Sequence, residues 1–124
     1  MAKSIDELEV YQIAAELSDD IWNICSEWNW FDRKTIGIQL VKAADSISAN
    51  IAEGYGRYFY KENIQFCYYS RGSLYETQHW IRRAFKRNII TSEQELNLNK
   101  IINTLAPKLN AYINAIKKES NKDK

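Results

Sequence analysis

The side chains that carry most enzyme chemistry are scarce in this sequence, and their spacing does not suggest a site. His79 is the sole imidazole and lies between Gln78 and Trp80 in a stretch with helical periodicity. Cys25 and Cys67 are 42 positions apart, so with one histidine they lack the ligand spacing of a zinc site. We interpret both cysteines as small buried residues with free thiols, as expected in the cytoplasm. The sequence therefore predicts neither a metal nor a cofactor.

Other catalytic arrangements are missing as well. Glu53, Glu62 and Glu76 could meet inside a helical bundle, but no Glu-x-x-His pair accompanies them, as a di-iron site would require. The Gly-Tyr-Gly of residues 54–56 lacks the Lys-Ser/Thr that follows in a phosphate-binding loop, and it ends a helical stretch instead of beginning one. We therefore predict that the protein is not an enzyme.

One polar group stands out in the segment SISANIAEGYGRYFYK, residues 46–61. Asn50, Glu53 and Arg57 are separated by three and four positions, so they would share one face of a continuous helix. We interpret the group as a capping and packing device, with a buried hydrogen-bond network between subunits or a groove for phosphate as the alternatives. A buried member would need a partner, because an unsatisfied polar group costs about 1–3 kcal/mol.

Aromatic side chains are dense in and after this segment, and not all of them fit inside one small bundle. Surplus aromatic residues beside arginine are typical of subunit interfaces, and they also stack on unpaired bases. We predict an oligomer interface here, with core packing plus ordinary surface tyrosines as the alternative. The aromatic residues assigned to this interface are Tyr55, Tyr58, Phe59 and Tyr60.

Charge is distributed unevenly, although the net charge is only +1. Residues 1–32 carry a net −7, residues 33–90 a net +6 and residues 91–124 a net +2. Either an acidic helix neutralises a basic neighbour, or the basic segments attract a polyanion, for which the local field matters more than the net charge. The candidate phosphate contacts are Arg57, Lys61, Arg71, Arg82, Arg83, Lys86 and Arg87.

Four amphipathic helices must position these residues, because apolar residues recur at spacings of three and four in four segments. The pattern predicts helices over about residues 5–28, 33–54, 60–87 and 92–119. Pro107 interrupts the fourth pattern, where we expect a bend.

The predicted helix ends follow from short local signals. Ser4 with Glu7 has the spacing of a capping box, and Thr91 with Gln94 and Ser92 with Glu95 offer two overlapping boxes at the start of the fourth helix. The other end signals are Asp32 as an N-cap, Gly54 and Gly56 in left-handed backbone at the end of the second helix, and Asn88 after the third.

Short connections between helices of this length force antiparallel neighbours. The fold class is therefore predicted as all-α, an antiparallel up-down-up-down four-helix bundle over residues 1–119, followed by a frayed polar tail over residues 120–124. No apolar run approaches the roughly 20 residues that span a bilayer, and the N-terminus lacks the apolar core of a secretory signal. We expect a cytoplasmic protein with no membrane partner.

The segment SISANIAEGYGR, residues 46–57, followed by GSLYET, residues 72–77, resembles the family of 23S ribosomal RNA intervening-sequence proteins. The resemblance extends from ELEVYQIAAEL, residues 7–17, through IGIQLVKAADSI, residues 36–47, to the last helix. It implies an up-down four-helix bundle that assembles as a homopentamer. More distantly, the chain is similar to the accessory protein of diversity-generating retroelements, a pentamer whose basic surface binds nucleic acid and reverse transcriptase.

The family pattern is matched at part of the candidate site. Two departures from it are Ser48, where proline is usual, and Phe59 with Tyr60, where a serine or threonine commonly caps the third helix. Among the site candidates, the residues that match the family pattern are Asn50, Glu53, Gly54, Arg57, Gly72 and Ser73. The interface candidates Tyr55, Tyr58, Phe59 and Tyr60 are assigned from the density of aromatic residues instead.

Two functions are compatible with these observations. The first is a non-enzymatic homo-oligomer, a pentamer by the resemblance, that binds RNA or DNA through basic surfaces repeated by symmetry. The alternative is a scaffold or accessory factor that binds another protein, such as a reverse transcriptase or a ribosomal component, through exposed aromatic residues.

Overall fold

The computed structural model describes residues 4–122, and all regular structure in this part of the chain is helical. A 3-10 turn, Ile5–Glu7, precedes the first helix. The four helices are α1, Glu9–Ser26; α2, which joins Trp30–Asp32, the π-helical Arg33–Gly37 and Ile38–Tyr55; α3, Tyr60–Lys86; and α4, Ser92–Lys122.

Each helix packs against its neighbour in sequence, and α4 closes the bundle against α1. Because the connections are short, α1 and α3 run in one direction and α2 and α4 run in the other. The predicted antiparallel up-down-up-down four-helix bundle is confirmed. We call the end where α1 and α3 finish the upper end (residues 27–37 and 82–95), and the opposite end the lower end (residues 4–9, 53–62 and 108–122).

The core consists largely of the apolar stripes that the sequence periodicity predicts, although Ile113, which the predicted stripe of the fourth helix did not include, is fully buried, whereas Tyr112 is not. Burying an aliphatic side chain of this size contributes about 1.5–3 kcal/mol, so these stripes supply most of the driving force for packing. The largest fully buried side chains are Leu17, Ile21, Leu40, Ile47, Ile51, Leu74, Ile81, Leu98, Ile102, Leu105, Leu109 and Ile113. Other stripe members, including Ile13, Trp28, Ile64 and Tyr112, are half-buried at the edge of the core.

Two predicted helix ends at the upper end of the bundle are confirmed. The Thr91 hydroxyl accepts from the Gln94 backbone N–H at 3.0 Å, and the Gln94 carboxamide accepts from the Thr91 N–H at 2.9 Å. Asn88 has a φ of 60°, and the Ile89 N–H donates to the Ala84 carbonyl at 2.9 Å. This bond closes α3 in a Schellman motif, whose left-handed residue is usually glycine or asparagine.

The start of α2 differs from the prediction, because Asn29 and not Asp32 is the N-cap. The Asn29 side-chain oxygen accepts from the Asp32 N–H at 2.9 Å, and the Asn29 amide donates to the Asp32 carboxylate at 3.1 Å. Asp32 is thus a first-turn acid, which the helix dipole also favours, and this explains why its position resembled a cap. The backbone then widens into the π segment Arg33–Gly37.

The glycines at the end of α2 do not adopt left-handed backbone, so that prediction was wrong. Gly56 has φ −79° and ψ −5°, which is right-handed, and none of the described glycines has a positive φ. Gly54 serves close packing instead, since a Cβ there would lie 2.6 Å from Asn63 Oδ1 and 2.9 Å from the Phe66 Cβ. Its missing side chain lets α2 and α3 approach at the lower end.

The first and last helices also differ from their predicted limits. The Ser4 N–H donates to the Glu7 carboxylate at 3.4 Å, as a capping box requires, but it caps the 3-10 turn. Leu8 is extended, with φ −78° and ψ 117°, so α1 begins only after it. Helix α4 contains Pro107 and continues to Lys122, so residues 120–122 of the predicted tail are helical, and residues 123–124 lie outside the described part.

Candidate nucleic-acid interface

The polar group of residues 50, 53 and 57 lies at the lower end, where α2 finishes. Arg57 Nη2 is 2.8 Å from the Glu53 carboxylate, and Arg57 Nη1 is 3.8 Å from the Glu62 carboxylate. The guanidinium carbon also lies 4.8 Å from the centre of the Phe66 ring. Because two carboxylates compensate its charge, Arg57 is a weaker candidate for a phosphate contact than its sequence position suggests.

Asn50 does not join this ion-pair cluster, although it is one turn away on the same helix. Its amide donates to the Ser46 carbonyl at 2.8 Å, and its side chain is half-buried. The structure thus joins Glu53, Arg57 and Glu62 and leaves Asn50 with a local backbone bond.

Aromatic side chains are exposed at the same lower end. Tyr58 is 90% exposed, Phe59 61% and Tyr60 40%, whereas Tyr55 is half-buried. The Tyr58 and Phe59 rings meet edge to face, with their centres 4.9 Å apart. Phe59 is the N-cap of α3 without a side-chain hydrogen bond, as its departure from the family pattern implies. A contiguous aromatic surface of this kind is typical of an interaction site.

An exposed strip also runs along the middle of α3. Gly72 is exposed and no atom lies within 4 Å of the place where its Cβ would be. Tyr69 and Tyr75 on either side are 52% and 63% exposed. Ser73 is half-buried, and its carbonyl accepts from the Thr77 hydroxyl at 2.8 Å. The strip combines aromatic surface with room for close approach at Gly72.

Arg71 and Lys61 lie apart from the candidate cations at the end of α3. The Arg71 guanidinium donates to the Asn110 side chain at 3.1 Å and lies 4.9 Å from the centre of the Tyr68 ring. It is half-buried and helps to hold α3 against α4. Lys61 is exposed near the start of α3 and forms no ion pair with any described residue.

The remaining predicted cations collect at the upper end, where α3 finishes. Arg82, Lys86 and Arg87 are exposed, and none of them forms an ion pair within residues 4–122. Arg83 is half-buried, and its Nε has no hydrogen-bond partner in the described part of the chain. Cations here also complement the negative end of the α3 dipole by about 0.3–1 kcal/mol each.

Four further residues belong to this upper end and were missed by the sequence reasoning. Trp30 and Phe31 are 65% and 67% exposed, and Arg33 and Lys34 follow them as exposed cations in the π segment. They lie far from residues 82–87 in sequence, yet α3 contacts the π segment directly. The predicted antiparallel topology contained the signal, because it places the start of helix two beside the end of helix three.

Acidic residues reduce the positive charge of the upper end without cancelling it. Its six cations, which are Arg33, Lys34, Arg82, Arg83, Lys86 and Arg87, face four carboxylates, which are Glu27, Asp32, Glu93 and Glu95. Glu95 and Arg82 line the same small polar cleft, together with Gln78 and Asn99. The upper end therefore has a modest positive surplus beside two exposed aromatic rings.

A groove of about 350 Å³ opens between α1 and α2 next to the upper end. Its lining residues are Trp22, Cys25, Ser26, Arg33, Gly37, Ile38, Val41 and Lys42. Trp22 is 60% exposed and Ile38 42% exposed, so the apolar wall is open to solvent. The groove thus has aromatic and aliphatic walls with two cations among its lining residues.

The two thiols lie in the protein interior. Burial raises the pKa of Cys25 to about 12 and the pKa of Cys67 to about 11. Both thiols are therefore protonated at neutral pH, when they are poor nucleophiles.

Residues 4–122 contain neither a candidate metal site nor a helix that could span a membrane. No three residues among the described histidines, cysteines, aspartates and glutamates are grouped so that they could hold a metal ion. No helix in the same part combines the length and apolar character needed to cross a membrane.

Comparison with known proteins places this arrangement in a family. Residues 6–111 match the family described as 23S rRNA-intervening sequence protein. A crystal structure of a protein of unknown function from the S23 ribosomal protein family of Bacteroides thetaiotaomicron is similar in fold, with a TM-score of 0.75. The two chains are 21% identical, over 84% of this chain and 97% of the other. No curated protein matches the sequence. The chain belongs to the family of 23S rRNA-intervening sequence proteins.

Proposed function

We propose that this protein is a non-enzymatic homo-oligomer that binds RNA or DNA through the upper end of the bundle. The observation that carries the proposal is that cations from α2 and α3 converge there beside the exposed Trp30 and Phe31. Lysine and arginine contact phosphates irrespective of sequence, and exposed aromatic rings stack on unpaired bases.

Assembly strengthens this surface, because one subunit has only a modest positive surplus. A homopentamer, as the family resemblance implies, would repeat the upper end five times around one axis and sum the fields of the subunits. The exposed aromatic residues of the lower end and the open surface at Gly72 support such contacts between subunits. Light scattering on nucleic-acid-free protein tests this step, with an expected mass of five times the 14.6 kDa chain.

Binding titrations at two salt concentrations test the nucleic-acid proposal. A labelled structured RNA and a labelled duplex DNA are each titrated with the assembled protein at about 50 and about 200 mM salt. We expect affinity to fall steeply with salt, because each neutralised phosphate releases a counterion. Absence of binding at the lower salt concentration would remove the proposal.

A matched pair of double variants locates the contact. K86Q/R87Q removes two exposed cations of the upper end, and K117Q/K118Q removes two exposed cations of the lower end. We expect the first variant to reduce the salt slope by about two and the second to leave it unchanged. The reverse result would place the nucleic acid at the lower end.

A protein-binding scaffold is the second candidate, and the exposure of Tyr58 and Phe59 favours it. Its partner, by the resemblance, would be a reverse transcriptase or a ribosomal component. A pull-down from nuclease-treated lysate separates the candidates, since a direct protein partner is retained and one bridged by RNA is lost.

A further inference from the structure

We infer that the groove between α1 and α2 receives an unpaired base of a single-stranded nucleic acid, with Trp22 as the stacking surface and with Arg33 and Lys42 contacting the flanking phosphates. The inference rests on the proposed function and narrows it, from nucleic acid in general to single strands.

The size and walls of the groove suit one base. Its volume of about 350 Å³ is at the lower end of the range for small-molecule pockets, about 300–1,000 Å³, so a single planar ring system fits. Trp22 is the one aromatic residue of the lining, and its 60% exposure leaves ring surface free for stacking. Ile38 and Val41 supply apolar surface for the other edge of the base.

The charges around the groove fix the side on which the phosphates lie. Arg33 and Lys42 are on the α2 wall and form no ion pair within residues 4–122. On α1, Asp19 and Asp20 are exposed and lie three and two positions before Trp22. On α2, Asp45 lies three positions after Lys42, and its carboxylate accepts from the Ser18 hydroxyl of α1. The backbone of a bound strand therefore follows α2, and its base points towards α1.

Arg33 connects the groove with the surface already described. It lines the groove and also belongs to the π segment that contacts α3. A strand whose base occupies the groove can continue past Trp30 and Phe31 towards Lys86, where it meets both exposed aromatic rings and cations. This combination is typical of proteins that bind single strands.

The chemistry of the groove selects single strands with little regard to sequence. In a duplex the bases are paired and stacked inside, so none can enter the groove without being unpaired. Ser26 is the one uncharged polar side chain among the lining residues, so few hydrogen bonds are available to read a base edge. Stacking without edge contacts tolerates any base.

Anisotropy titrations with a short single-stranded RNA of mixed sequence and with the same RNA as a duplex test the inference. We expect W22A to weaken single-strand binding by about five- to one-hundred-fold and duplex binding by less than about twofold. W22F retains a ring and should restore most of the single-strand affinity, which also controls for folding. L96A removes a comparably exposed apolar side chain of α4, 57% exposed against 60% for Trp22, and should change neither affinity.

A cation variant tests the phosphate contact. K42Q should lower the single-strand salt slope by about one and leave the duplex slope unchanged. Equal slopes for K42Q and the wild type would overturn this part of the inference.

The possible outcomes distinguish a failure of this inference from a failure of the proposed function on which it rests. If W22A leaves single-strand binding unchanged, or weakens both ligands equally, the inference is overturned while salt-dependent binding still supports the proposed function. If W22A lowers the mass of the oligomer, the groove is a contact between copies and the inference is overturned as well. If the wild type binds neither RNA, both fail.

Discussion

Gly54 and Asn63 are in closer contact than any side chain at position 54 would allow. A Cβ there would lie 2.6 Å from Asn63 Oδ1 and 3.0 Å from the Asn63 carbonyl. Asn63 Oδ1 also accepts a hydrogen bond from the Cys67 thiol at 3.6 Å, and this bond restrains the Asn63 side chain from moving aside. This contact joins the end of α2 to the start of α3 and so holds the aromatic connection between them.

We predict that G54A lowers the free energy of unfolding by about 1–3 kcal/mol, because overpacking at a backbone-to-helix contact forces the two helices apart. Urea denaturation followed by circular dichroism measures the change. N63A in the same background should recover part of the loss, since it removes the nearest clashing atom. Unchanged stability in G54A would show that the helices separate at little cost.

We predict that G72A, unlike G54A, raises the free energy of unfolding, and that it weakens the assembly of subunits. Alanine in an exposed helix interior stabilises by about 0.5–1 kcal/mol relative to glycine, and a Cβ at position 72 meets no atom within 4 Å. If Gly72 lies at the subunit contact, the added methyl group obstructs the neighbouring subunit, and the mass measured by light scattering falls. An unchanged mass with raised stability would exclude Gly72 from the contact.

The left-handed backbone of Asn88 leads to a third prediction, a difference in stability between the variants N88A and N88G. At φ 60° an alanine is strained by about 1 kcal/mol, whereas glycine is not, so N88A should unfold at lower urea and N88G should match or exceed the wild type. N97A, at an exposed interior position of α4, is the control and should not destabilise. Equal midpoints for N88A and N88G would contradict the left-handed assignment.

From the burial of the two thiols we predict that the free energy of unfolding declines at alkaline pH. Burial raises the pKa of Cys67 from 9.0 to about 11 and the pKa of Cys25 from 9.0 to about 12. Above pH 9 the unfolded chain therefore releases thiol protons that the native chain keeps, and the free energy of unfolding falls as pH rises. The loss is at most about 1.4 kcal/mol per pH unit for each thiol.

Denaturation at pH 8 and at pH 10.5 measures this loss, with C67A as the comparison because it lacks one of the two thiols. The decline between the two pH values should be smaller in C67A than in the wild type. An identical decline would show that Cys67 does not contribute.

Local and periodic features of the fold were predictable from the sequence. The core positions follow from spacings of three and four. The helix ends at Thr91, Gln94 and Asn88 depend on hydrogen bonds and backbone conformations within a few residues of the chain. The role of Gly54 was not predictable, because it depends on the distance to Asn63 in another helix. The cap of α2 was assigned to Asp32 because either of two polar residues three positions apart fits the same local signal.

The candidate site was predictable in its residue types but not in its grouping. Sequence reasoning treated Arg57 and Lys86 alike, yet Arg57 is compensated by Glu53 and Glu62 while Lys86 forms no ion pair with a described residue. Arg33 was overlooked because its partners at the end of α3 are brought near only by the topology. Charge compensation and convergence are properties of the folded chain.

The π segment Arg33–Gly37 has a consequence for how the length of this chain can vary. A π turn contains about one residue more than an α turn, so deletion of one residue here restores α-helical geometry. The helical pieces on both sides of the turn then keep their orientation relative to the rest of the bundle. The same deletion within Ile38–Tyr55 would rotate everything upstream by about 100° and turn Trp30 away from α3. Within α2, a deletion of one residue that spares the upper surface is therefore confined to this π turn.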